Sequence, residues 1–171
     1  VYVVLFLLFL FPAIYGNNHT AVYSNLDETL PQDLPSIIAN EKLKEHYDMN
    51  TTHMILVDSS VSSTDVNKMI KEMDKVDGVK WALGLDSLVG PSVPSDMIPE
   101  SVSSMLKNDK YQLLLVNSEY KVASDEVNAQ IKTLNKILHK YDKTGMLIGE
   151  GPLTADLIDI TDQDFKTVSA V

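Results

Sequence analysis

The order of apolar runs and amphipathic stretches predicts an α+β chain. The predicted fold is a ferredoxin-like βαββαβ two-layer sandwich that comes after the end of a transmembrane helix. Three observations carry this reading. The chain opens on fifteen residues without a charge, Val1–Tyr15. Two continuous apolar runs, His53–Asp58 (HMILVD) and Tyr111–Val116 (YQLLLV), read as strands central in a sheet. Two stretches with apolar residues at helical spacing, near 64–76 and 125–141, supply the covering layer. The elements run strand, helix, strand, short helix, strand, helix, strand. Without the short helix this is βαββαβ, whose inner strands are the first and third. The two apolar runs hold those places.

The opening stretch, VYVVLFLLFLFPAIY, has no polar face at any period. As a helix it spans roughly 22 Å, short of the ~30 Å hydrocarbon core. It reads as the outer end of a membrane helix. A signal peptide is the main rival, but no basic segment precedes the run and no A-x-A-like site comes after it. A buried core helix is the third reading. The first two agree that the rest of the chain is extracytoplasmic.

Residues 17–52 then form a connector and a leading helix. Pro31 and Pro35 hold the connector extended. Ser36 is placed to cap a helix over Ile37–Tyr47, with Ile37, Ile38, Leu43 and Tyr47 on a loose apolar face. The sandwich occupies 53–157. After HMILVD and a hydroxyl-rich turn, Val66, Met69, Ile70, Met73 and Val76 mark a helix over about Thr64–Val76. Asp77-Gly78 ends it. Val79, Trp81, Leu83 and Leu85 alternate with Lys80, Ala82 and Gly84, as in a half-buried strand. Pro99 is expected at the first position of a short helix reaching Leu106. Ser124 caps the most regular helix, Asp125–Tyr141, with Val127, Ile131, Leu134, Leu138 and Tyr141 on one stripe. Thr144–Gly149 is the last strand, and Gly149–Pro152 is expected to break the chain. Leu153–Val171 reads as a last helical tail that carries Asp156, Asp159, Asp162 and Asp164, with Leu157, Ile160, Phe165 and Val168 as its apolar side, and 158–171 is expected to lead into the next membrane helix.

Composition narrows the function. The net charge is −10, and all 14 basic residues are Lys. Without Arg the chain lacks the planar fork that grips phosphate, so nucleic acid is not an expected partner. There is no Cys, which rules out disulfides, thiolate nucleophiles and Cys-bound zinc. His19, His46, His53 and His139 have no partners at metal spacing. Asp156, Asp159, Asp162 and Asp164 lack the alternation and central Gly of a calcium loop, and Thr161 or Asp162 reads as a helix cap. No Gly-x-Ser-x-Gly elbow or phosphate loop is present. No catalytic residue, metal or cofactor is expected, and the chain does not read as an enzyme.

The run ending Pro12-Ala13-Ile14-Tyr15-Gly16 is followed by Tyr23-Ser24-Asn25-Leu26-Asp27 and Leu30-Pro31. The helix Ile38–Tyr47 and the strand Met54–Val57 come next, and Ile148-Gly149-Glu150-Gly151-Pro152-Leu153-Thr154-Ala155-Asp156 stands at the far end. In this order the chain resembles the first extracytoplasmic loop of the MMPL branch of the resistance–nodulation–division (RND) transporters. The resemblance covers nearly the whole chain and rests on order and spacing. It implies a porter subdomain of ferredoxin-like fold, flanked by membrane helices, in a proton-driven exporter of lipids, lipophilic molecules or drugs. The family's proton-relay residues lie on membrane helices outside this stretch. The implied partners are the lipid bilayer, the remaining transmembrane and porter domains, and a lipophilic substrate. Leu88, Val93, Met97, Ile98, Val102 and Met105 would line the substrate path. The alternative is a standalone exported binding or sensory module, tethered by one helix or released.

Overall fold

The computed structural model describes residues 2–18, 30–85, 87 and 99–169. Six helices and four strands are described. They are α1 (Tyr2–Asn18), α2 (Pro35–Tyr47), β1 (Thr51–Asp58), α3 (Ser63–Met73), β2 (Val79–Leu83), α4 (Glu100–Leu106), β3 (Tyr111–Ser118), α5 (Asp125–Tyr141), β4 (Met146–Ile148) and α6 (Glu150–Ser169). The chain divides into two compact units. Asn25–Ala155 holds the sheet, while Val1–Ser24 and Asp156–Val171 group together as the other.

The four strands form one antiparallel sheet in the order β2-β3-β1-β4. The two expected central strands are the inner pair. They share eight register partners from Thr51↔Ser118 to Asp58↔Tyr111. Alternation along β1 sends Ile55 and Val57 to one face and Met54 and Leu56 to the other. On the first face Ile55, Val57, Leu114, Val116 and Ala82 meet Val66, Met69, Ile70 and Met73 of α3 and Leu134 and Leu138 of α5. Eleven buried residues make this core, and α3 and α5 form the second layer. On the other face Met54, Met146 and Ile148 are exposed.

Several expectations are corrected in detail. Ser36 does not cap α2. Leu34 is the N-cap and Pro35 takes the first turn, where its missing N–H is no loss. Pro99 is likewise the N-cap of α4 and not its first residue. Ser62 caps α3 by accepting from the Asp65 amide, and the helix ends at Met73, ahead of the expected Val76. β2 does not keep its predicted alternation. The register shifts between Val79 and Trp81, so Val79 and Ala82 both serve the core side.

The break expected at Gly149–Pro152 is instead the start of a helix. Gly149 turns the chain at φ 134, and α6 runs unbroken from Glu150. Pro152 sits in the first turn, where it loses no helical hydrogen bond. Thr161 therefore lies inside α6, and its hydroxyl donates back to the Leu157 carbonyl at 2.6 Å. Neither Thr161 nor Asp162 caps a helix.

α1 is apolar all round, and its large side chains from Tyr2 to Tyr15 are exposed. At 17 residues it spans roughly 26 Å. Among the described residues, no helix is long and apolar enough to cross a membrane.

Candidate functional site: a groove beside α2 and a buried histidine

A groove of about 520 Å³ lies in the sheet unit, within the range usual for ligand sites. One wall is α2. Ile37, Asn40, Glu41 and Lys44 recur at spacings of three, one and three, which puts them on one helical face. α2 stops at Asp48, a left-handed residue at φ 52, and the Met49 amide donates to the Leu43 carbonyl. This turn drops Met49 and Asn50 into the groove.

The rest of the lining is tied to the start of β1. The Asn50 side-chain amide donates to the Glu119 carbonyl. The Thr51 hydroxyl donates to the Tyr120 carbonyl at 2.8 Å. These bonds hold the β3–α5 loop against β1 and bring Lys121 and Val122 to the groove. Thr52 and Glu150, the first residue of α6, complete it. α2 thus gives one carboxylate and one ammonium, Glu41 and Lys44, and the other elements give Glu150 and Lys121. The lining is charge-balanced in a chain of net charge −10. Ile37, Leu43, Met49 and Val122 add an apolar part. Such a surface suits a neutral or zwitterionic amphiphile better than a polyanion.

On the core side of the same strand His53 is fully buried. Its Nε2 meets the Gln130 side-chain oxygen at 3.3 Å, and the Gln130 amide donates to the Asp77 carbonyl at 2.8 Å. Burial pushes the His53 pKa below its ordinary value, against a smaller upward pull from Gln130. His53 is therefore neutral at pH 7. Gly151 crosses its ring closely: a Cβ there would stand 2.9 Å from Cε1.

At the other end of β1, Asp142 is buried and accepts from the Asp58 amide at 2.7 Å and from the Thr144 amide and hydroxyl, each at 2.8 Å. Burial raises its pKa, but these bonds outweigh that and leave it below the usual range. It ties β1 to the α5–β4 turn. Among the described residues, no group of three or more His, Asp or Glu side chains could hold a metal ion.

Of the six residues expected on a substrate path, Leu88, Val93, Met97 and Ile98 lie outside the described residues. Val102 is on α4, and its side chain is not among those described. Met105 is on α4 and exposed. The described groove is elsewhere. The sequence marked Ile37 and Leu43 as one face of α2. It held no sign that Lys121 and Glu150 would join them, because that depends on turns and not on spacing. No protein-family model matches the chain, and no curated protein matches it significantly.

Proposed function

We propose that this chain is the extracytoplasmic porter subdomain of a proton-driven RND transporter of the MMPL type, in the cell membrane. In this reading it shapes the path of a lipid, lipophilic molecule or drug. One observation carries it: α1 is apolar all round, and its large side chains from Tyr2 to Tyr15 are exposed. The exposed apolar surface of α1 supports that reading, since a helix apolar on every side belongs in lipid or in a core. We take α1 as the outer end of a longer membrane helix.

We read the sandwich as ferredoxin-like. The antiparallel order β2-β3-β1-β4, with a helix crossing from β1 to β2 and another from β3 to β4, supports that reading. The test is the coding sequence after Val171 in the parent gene. About 20 apolar positions are expected there, enough for a second membrane helix. A stop codon or a polar linker would contradict the transporter reading and favour a tethered module.

A further inference from the structure

The protonation of His53 is set by its neighbours. The Asp77 carbonyl accepts from the Gln130 amide nitrogen, which turns the Gln130 oxygen toward the ring. An oxygen facing Nε2 requires the proton on Nε2. Nδ1 is then the bare nitrogen, and it is buried with no hydrogen-bond partner among the described residues. An added proton goes to Nδ1. There it would sit on a charged ring with no acceptor, a costly state in an interior.

The first turn of α6 lies over that edge of the ring. A Cβ on Gly151 would stand 3.3 Å from Nδ1, so the helix backbone rests there with little room to spare. This end of α6 is also the positive pole of the helix, which disfavours a cation beside it. The surrounding elements offer no relief. α5 presents Gln130, which is neutral, and β3 presents Val116 opposite His53. From the α3–β2 turn, the Asp77 carboxylate is engaged by the Tyr120 hydroxyl at 2.6 Å. From α6, the Glu150 side chain lines the groove.

We propose that His53 is an acid-sensitive seat for α6: a proton on Nδ1 lifts the first turn of α6 off β1 and takes the Glu150 wall away from the groove. The sign is fixed by the ring's environment. Burial holds the seated His53 below its ordinary pKa of 6.5, while a lifted helix exposes the ring to water. Below about pH 6.5 the lifted form carries a proton that the seated form lacks. Its population rises as pH falls, by as much as about tenfold per pH unit, until the seated ring titrates too. The inference stands on the sheet unit alone and does not depend on transport.

The test uses the whole chain in detergent micelles. The chain has no Cys and a single Trp. Leu153→Cys, at an exposed position on the first turn of α6, therefore takes one environment-sensitive fluorophore, and Trp81 on β2 reports on the sheet independently. We expect the label to respond between about pH 7 and pH 5 while Trp81 emission stays flat. In the His53→Gln background, which cannot titrate, the label should not respond. A silent label, a label that moves together with Trp81, or an equal response in His53→Gln overturns the proposal. Should His53→Gln not fold, ¹⁵N spectra of the parent chain decide. Nδ1 must be bare at pH 7, and its titration must move the Gly151 amide. A protonated Nδ1 at pH 7, or a titration that leaves Gly151 still, overturns it.

Discussion

Gly78 is held by two separate demands. Its φ of +75 is one that L side chains avoid, and a Cβ there would run into the Tyr120 ring. Gly78→Ala should therefore lower unfolding stability by on the order of 1–3 kcal/mol, measured by urea melts. The first demand was legible, because Asp-Gly after a helical stripe is a local signal. The second was not, since Tyr120 is 42 positions away along the chain. Tyr120 itself donates to Asp77, which together with burial raises its pKa to about 12. In a spectrophotometric titration it should be among the last tyrosines to ionise. His53 adds a pH dependence of opposite origin. Its folded pKa is lowered from 6.5, so the unfolded chain binds the proton first. Stability should fall as pH drops below about 6.5, and His53→Gln should flatten that fall in melts at successive pH values.

Helix ends divide into those with local chemistry and those set by the fold. Ser124 accepts from the Val127 amide at 3.1 Å, just where the sequence placed the cap of α5. Ser124→Ala should cost about 1 kcal/mol of stability, read by thermal or urea unfolding. The start of α6 was misread because Gly149-Glu150-Gly151-Pro152 has the composition of a break. Gly149 instead makes the turn out of β4, and Gly151 lets the new helix come down on His53. The link between α3 and α5 was equally hidden. Glu72 accepts from Lys140 at 2.7 Å and from the Tyr141 hydroxyl at 2.7 Å, across 68 and 69 positions. Spacing puts Glu72 and Lys140 on outer faces and Tyr141 on the apolar stripe of α5, and it does not say that the three meet.

For the whole molecule, the sheet order was legible and the groove was not. HMILVD and YQLLLV are the inner strands, as their continuous apolar runs suggested, although only one face of the sheet is covered and Met54 on the other is exposed. The core they anchor predicts that Leu134→Ala, at a fully buried side chain, costs about 2–5 kcal/mol. The groove is lined from three stretches far apart in sequence, 32–52, 121–122 and Glu150, and its Lys and Glu residues read singly as ordinary solvated charges. The membrane reading, proposed above, starts from α1, which is apolar all round with its large side chains exposed. It is tested most directly by side-specific labelling. Lys132 is exposed on α5, and this stretch contains no Cys. In cells making the full-length parent, otherwise freed of Cys, Lys132→Cys should react with a membrane-impermeant maleimide added outside. Reaction only after the cells are lysed would contradict the account.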